Sequence, residues 1–259
     1  MIKILFVGDV IGKPGRECLR KFLPRYNKEA DFCIVNGENA AGGRGITPAI
    51  AEEIFSLGVE VITTGNHVWD DKKIIPYLEG RHNLLRPINY PPGVPGKGWG
   101  IFQTRNKVKL GIVNVSGRVF MPTLDCPFRG TKQAVEEIKR ETSCIIVDVH
   151  GEATSEKVAL GYYLEGEVSA VIGTHTHVQT SDERILPKGT AYITDVGMAG
   201  SYLSIIGMRK EEVMKHFLTQ MPVRFKVAQG EPWINGAWIE IEETTGRALS
   251  IERIKERAE

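Results

Sequence analysis

The sequence predicts an α/β protein in which two sheets pack together with helices on their outer sides. Three observations lead to this. Short β-branched and apolar runs alternate with segments of helical periodicity along much of the chain. Several of those runs stop at a glycine followed directly by a polar or chelating residue. Beyond residue 183 the pattern changes to hairpin-like strands. Strands alternating with helices at this spacing imply parallel βαβ units whose sheets are covered by helices.

The elements follow in order. Residues 2 to 7 form a buried strand closed by Gly8. Cys18, Leu19, Phe22 and Leu23 stand at helical spacing within residues 15 to 29, and Pro24 should end or kink that helix. Residues 32 to 35 are a second buried strand before Gly37-Glu38-Asn39. Thr47 and Pro48 supply an N-cap and a first-turn proline for a helix reaching about residue 57. A third strand, 59 to 63, ends in Gly65-Asn66-His67. Residues 100 to 115 read as two strands around the polar turn Arg105-Asn106-Lys107. A helix over 131 to 141 leads into a strand ending at His150, and a helix over 155 to 164 precedes the strand 170 to 173 and His175-Thr176-His177. Thr244-Thr245-Gly246-Arg247 is a turn between strands 238 to 242 and 248 to 254. The stretches 89 to 100 and 118 to 130 hold prolines, glycines and the exposed-looking Trp99, Phe120, Met121 and Phe128, and are the expected mobile loops over a site. No linker or composition break divides the chain, so residues 1–259 are expected to form one domain.

Composition narrows the function. With 33 basic and 32 acidic residues the chain lacks the electrostatic footprint of a protein that grips long nucleic acid, while a small phosphorylated substrate stays open. The scattered cysteines Cys18, Cys33, Cys126 and Cys144 argue against a disulfide framework or a thiolate zinc site and fit a reducing cytoplasm. No apolar run suggests a membrane span.

The chemistry lies in position. Asp9, Glu38-Asn39, Asn66-His67, His150 and His175/His177 each fall just past the carboxyl end of an expected strand, where open α/β sheets bind ligands. Each segment alone has a bland reading: Asp9 as a helix cap or turn residue, Gly65-Asn66-His67 as an Asx-turn, the histidines as surface loops. Five such segments at five strand ends outweigh those readings. Carboxylate, amide oxygen and imidazole together suit manganese, iron or zinc, and the candidate ligands Asp9, Glu38, Asn39, Asn66, His150, His175 and His177 are too many for one tetrahedral ion. They suit two ions sharing a carboxylate, a recurrent device for phosphate-ester cleavage. In an extended backbone His175 and His177 would point the same way and reach neighbouring ions.

Two other readings compete. Gly8 to Lys13 follows a strand as a phosphate-binding loop does, but only three residues separate Gly8 from Gly12 and Pro14 follows the lysine. A metal-containing regulator that binds a nucleotide or protein with little turnover would use the exposed-looking aromatics. Arg44, in Gly42-Gly43-Arg44-Gly45, is either a phosphate contact or, as we prefer, a solvated loop arginine.

Gly8-Asp9, Gly37-Glu38-Asn39, Gly65-Asn66-His67, His150-Gly151-Glu152 and Gly173-Thr174-His175-Thr176-His177 resemble the motif series of the calcineurin-like metallophosphoesterases, and specifically the YmdB-like branch. The superfamily usually opens with Asp-x-His and then has Gly-Asp; this chain has Val10-Ile11 and Glu38-Asn39 there, the departure seen in that branch. The block 160 to 200, with Thr194-Asp195-Val196-Gly197-Met198, is also similar. The resemblance implies a four-layer α-β-β-α sandwich of two mixed sheets. It implies one ion held by Asp9, Glu38, Asn39 and His177, a second held by Glu38, Asn66, His150 and His175, and His67 as proton donor. It implies a phosphodiesterase acting on small phosphodiesters such as 2′,3′-cyclic AMP by attack of a metal-bridging hydroxide. Iron is the foremost expected metal, with manganese or zinc also fitting, and a homo-oligomer is consistent with the family.

Overall fold

The structure, a computed structural model, describes residues 1–257. The chain runs through β1 (Ile2–Val7), β2 (Asp9–Val10), α1 (Gly12–Tyr26), β3 (Phe32–Asn36), α2 (Pro48–Ser56), β4 (Val61–Thr63), α3 (Ile74–Gly80), β5 (Leu84–Leu85), β6 (Trp99–Gln103) and β7 (Lys109–Ser116). It continues through α4 (Pro127–Ile138), β8 (Ile145–His150), α5 (Thr154–Tyr163), β9 (Ala170–Thr174), β10 (Arg184–Ile185), β11 (Ala191–Ile193), β12 (Met198–Ser201), α6 (Lys210–Thr219), β13 (Pro232–Ile241) and β14 (Ala248–Arg257).

Alternation along the strands builds the layers. In β1, Ile4 and Phe6 face one way and meet Ile112, Ile146 and Ile172 of the second sheet, while Leu5 and Val7 face the other and meet Leu19, Phe22 and Leu23 of α1. In β8, Ile146 faces the inter-sheet core, whereas Ile145 and Val147 join Val135 and Ile138 of α4 and Leu160 of α5. The result is the four-layer α-β-β-α sandwich. One sheet orders its strands β2-β12-β13-β1-β3-β4-β5, with β14 beside β13; the other is β10-β11-β9-β8-β7-β6. Both are mixed: β1, β3, β4 and β5 are parallel and β13 antiparallel in the first, while β7, β8, β9 and β11 are parallel and β6 antiparallel in the second. Among the described residues no helix is long and apolar enough to cross a membrane.

Several boundaries differ from expectation for physical reasons. The first helix runs through Pro24 to Tyr26, because a proline so near the end forfeits a bond only in the final turn. Helix α4 starts at Pro127, inside the stretch 118 to 130 read as loop. Beyond residue 183 the chain is not simply hairpins: β11 lies parallel to β9, β12 parallel to β2, and α6 intervenes. Helix α6 buries only Val213 and exposes Met214, Phe217 and Leu218, so it lacks the buried stripe that betrays a helix. Of the aromatics expected at the surface, Phe120 is 89% exposed, but Trp99 packs into the core beneath α4 and Phe128 meets Tyr163 edge-on.

At the carboxyl rim of the parallel strands the interface between the sheets turns polar. Asn36 Nδ2 on β3 donates to Asp148 Oδ2 on β8 across the sandwich (3.1 Å), and Asn114 Nδ2 on β7 donates to the carbonyls of Thr64 (2.8 Å) and Leu85 (2.9 Å). These bonds pair buried polar groups that apolar packing would leave unsatisfied, and they fix the two sheets against each other at the site.

Candidate metal centre

All seven candidate ligands reach this one rim. The first sheet contributes Asp9, Glu38, Asn39 and Asn66; the second contributes His150, His175 and His177. Asp9, Glu38 and His150 are fully buried. Glycines make the convergence sterically possible. A Cβ at Gly65 would stand 2.2 Å from the His150 ring and 2.3 Å from Glu38 Oε2, and one at Gly8 would stand 2.0 Å from the Gly197 carbonyl oxygen.

The atoms group around two places. At the inner place His150 Nε2 lies 2.8 Å from Glu38 Oε1, 3.2 Å from Asn66 Oδ1 and 2.9 Å from His175 Nδ1. Glu38, His150 and His175 each bring a ligand atom within 4.8 Å of the others. At the outer place His177 Nε2 lies 3.7 Å from Asp9 Oδ1 and 3.2 Å from Asn39 Nδ2. Asn39 Nδ2 also donates to Glu38 Oε1 (3.2 Å) and Asp9 Oδ1 (3.4 Å), so Glu38 borders both groups and the amide nitrogen, not the expected oxygen, is the Asn39 atom turned to the outer one.

Each imidazole is aimed by the nitrogen that points away from the cluster. The Thr174 hydroxyl donates to Asp148 Oδ1 (2.7 Å), so its oxygen accepts from His150 Nδ1 (3.0 Å) and turns Nε2 inward. The Ile206 carbonyl can only accept, so His177 Nδ1 donates to it (2.9 Å) and Nε2 faces Asp9. Glu152 Oε2 lies 3.1 Å from His175 Nε2 and takes its proton as acceptor, leaving the Nδ1 lone pair toward His150. Outward partners that fix tautomer and ring direction are the usual support of metal-binding histidines.

The electrostatics agree with this donor set. Burial pushes the Glu38 carboxyl up, but the charge and hydrogen bond of His150 and the neighbouring His67 hold it down to about 2. Burial works against the His150 imidazolium, yet Glu38 and then Asp9 carry it up to about 9. Burial, with the His150 charge second, brings His175 down to about 3 and keeps it neutral. Burial raises Asp9 against the pull of His177 and His150, and raises Asp148 to about 6. At the inner place one proton on His150 Nε2 is thus surrounded by the acceptors Glu38, Asn66 and His175, an arrangement that a cation fits.

The two histidines of His175-Thr176-His177 converge by a route the sequence did not show. They are not extended: φ is +99° at His175 and +65° at His177, a left-handed region that non-glycine residues seldom adopt. A buried clamp holds this turn. Asp195 Oδ2 accepts from Thr176 N (3.0 Å), from Thr176 Oγ1 (2.8 Å) and from Lys157 Nζ (3.0 Å), and Lys157 also donates to the Thr174 carbonyl (3.2 Å). The His175 N–H donates across the cleft to Asp9 Oδ2 (3.1 Å).

His67 lies beside the cluster, its backbone N–H on Glu38 Oε2 (3.1 Å) and its Nδ1 on Asp70 Oδ2 (3.1 Å). Asp70 also pairs with Arg44 (3.4 Å), so that loop arginine, though 69% exposed, is tied to the site margin. Lys13 pairs with Glu17 along α1 rather than closing a phosphate loop. Sequence reasoning missed Asp70, Glu152, Thr174, Lys157 and Asp195 as supports. Glu152, Thr174 and Asp195 stand in the sequence motifs without a role, Asp70 and Lys157 in none, and only contacts in the folded chain assign all five as supports.

A four-layer sandwich with this cluster at its strand ends has the fold of the calcineurin-like metallophosphoesterases. Within that class the chain belongs to the YmdB-like protein family, whose model matches residues 5–254. It is 48% identical over 255 residues to a 2′,3′-cyclic-nucleotide 2′-phosphodiesterase of Bacillus subtilis (strain 168), covering 98% of this chain and 96% of the relative. A hypothetical protein from Thermus thermophilus superposes with a TM-score of 0.94 at 42% identity, covering 100% of both chains. A novel phosphatase from Mycoplasma pneumoniae superposes with a TM-score of 0.92 at 36% identity, covering 99% of this chain and 93% of that one.

Proposed function

We propose that this protein is a metal-dependent phosphodiesterase that opens small phosphodiesters, in particular nucleoside 2′,3′-cyclic phosphates. Phosphoric ester hydrolysis accords with the names of its relatives. The observation that carries the metal reading is the aiming of the imidazoles: Thr174, Ile206 and Glu152 take the outward nitrogens of His150, His177 and His175, so the inward ones converge with carboxylates. Asp9, Glu38, Asn39 and His177 would hold one ion, and Glu38, Asn66, His150 and His175 the other.

Two such ions supply Lewis acidity, activating water and neutralising charge on the phosphoryl oxygens. The chain's own residues do the rest. Buried Glu38, held ionised beside His150, places negative charge at the bottom of the cleft, with buried Asp9 beside it. Asp70 orients His67 through Nδ1 and the Asn66 amide Nδ2 lies on Nε2 (3.3 Å), so His67 would deliver a proton to the departing alkoxide, a poor leaving group without it, as an imidazolium whose Nε2 exchanges Asn66 for the substrate.

Elemental analysis with turnover of bis-p-nitrophenyl phosphate and 2′,3′-cyclic AMP tests this reading, with Asp9→Asn and His67→Ala alongside. The expected result is about two equivalents of transition metal in the wild type, turnover lost in Asp9→Asn, and turnover lowered by about 10²–10⁴-fold with metal retained in His67→Ala. Protein that takes up neither manganese nor iron on reconstitution would refute the metal reading, and loaded protein without turnover would leave a binding protein instead.

A further inference from the structure

Beside the cluster lies a cavity of about 850 Å³, bounded by the chain after β5, the start of β6, the loop after β7 and the first turns of α4. It falls within the range of about 300–1,000 Å³ typical of small-molecule sites. None of the seven candidate ligands lines it, but each wall is tied to residues next to the cluster. Tyr90, on one wall, meets Trp69 edge-on at 5.4 Å, two residues past His67, and feels the charge of Glu38 and Asp70. Arg118, on the other, follows Gly117, whose N–H donates to the His150 carbonyl (2.9 Å).

The lining has two chemistries. Tyr90 and Trp99 offer aromatic faces to a planar ring. Arg86, Arg118 and Arg129 bring three guanidiniums against the two carboxylates Asp125 and Glu137. Arg86 is the informative one. It is buried, and its guanidinium bonds only carbonyls: Pro87 (2.8 Å), Pro95 (3.0 Å) and Val94 (3.5 Å). Among the described residues Arg86 makes no ion pair, whereas buried charge is ordinarily matched by a counter-charge, and the exposed Arg118 and Arg129 at the mouth make none either.

We propose that this cavity is a second subsite that receives the nucleoside of the substrate together with a second phosphate, on its 5′ side, while the scissile diester lies at the metal cluster. This rests on the phosphodiesterase reading above, and it names the preferred substrate class: nucleoside 2′,3′-cyclic phosphates carrying a 5′-phosphate group. Such a group comes either from a 5′-phosphorylated mononucleotide or from the linkage of a short oligonucleotide. A neutral chain with a bounded cavity suits these better than a long polymer.

Two measurements test it. In the first, metal-loaded enzyme is assayed on bis-p-nitrophenyl phosphate, 2′,3′-cyclic AMP, its 5′-phosphorylated form, and a diadenylate ending in a 2′,3′-cyclic phosphate. The 5′-phosphate is expected to lower KM by about tenfold or more with kcat little changed. Arg118→Ala with Arg129→Ala should erase that gain while sparing bis-p-nitrophenyl phosphate; both side chains are exposed, so the fold is not at stake. A gain for the mononucleotide alone assigns the first source, and a gain for both assigns the shared group. Equal KM with and without the 5′-phosphate, or a gain that survives both substitutions, overturns the proposal.

The second measurement needs no turnover. Cys126 lines the cavity and is half-buried, whereas Cys18, Cys33 and Cys144 are buried. The N–H of Arg129 at its sulfur lowers the Cys126 thiol pKa, so iodoacetamide should label this thiol first. Adenosine 3′,5′-bisphosphate should slow labelling more than 3′-AMP, and inorganic phosphate should not slow it. Labelling indifferent to all three overturns the subsite even if the enzyme hydrolyses diesters. Protection in an enzyme that turns over no diester would instead overturn the catalytic reading alone.

Discussion

The two sheets contribute to the centre in different ways. The first brings the candidate ligands Asp9, Glu38, Asn39 and Asn66 to positions just past β1, β3 and β4, and none of these has a left-handed backbone. The second brings the candidate imidazoles. His150 ends a regular strand, but His175 and His177 sit on a strained turn held by the Lys157–Asp195 pair and aimed by partners from elsewhere in the chain. Short carboxylate and amide side chains need only be set at a strand end. A ring with two unlike nitrogens must also be turned the right way round, and that takes a second layer of residues.

The sharpest break should come at the clamp. Lys157→Ala leaves Asp195 buried and unpaired and is expected to cost about 3–5 kcal/mol of folding stability, read by chemical denaturation in EDTA. Asp9→Asn, on the oxygen side, removes a buried carboxyl whose pKa burial raises, and should leave the metal-free fold at least as stable. Equal losses in the two variants would erase the contrast. Manganese comes next: at about 100 times its Kd it should add about 2.7 kcal/mol to the wild type, and much less to Asp9→Asn although that variant is folded. The finest test compares orienting partners. Thr174→Val, under buried His150, should weaken metal binding by about 10–100-fold by calorimetry. Glu152→Gln, whose carboxylate is 51% exposed beside His175, should weaken it by no more than about fivefold.

The sequence made the frame and the residues at the rim legible for the same reason. Buried parallel strands are continuous apolar runs, and a run that stops at Gly8, Gly37 or Gly65 before a chelating residue marks both the end of a strand and the edge of a site. The conformation of the last motif was hidden. Spacing suggested extended histidines, whereas left-handed backbone at His175 and His177 is set by contacts with Asp195, Lys157 and Asp9, all distant in sequence. Lys157 shows why: on a helix it reads as a solvated lysine, yet it is 1% exposed. The same blindness hid α6, whose apolar residues face outward.

The partner that aims His177 has no side chain to lose. It is the carbonyl of Ile206, itself at φ +47°, in a turn held by Gly207 at φ +93° with no room for a Cβ beside Ile11, and by Ser204 Oγ, which accepts from the Gly207 N–H (2.9 Å) and donates to the Ser201 carbonyl (2.6 Å). Alanine at Ile206 would therefore miss its role, whereas a one-residue deletion would swing the carbonyl away. Across divergent relatives, the inheritance to look for here is a fixed number of residues between Ser201 and Gly207, with Ser204 and Gly207 kept and the letters between them free to drift.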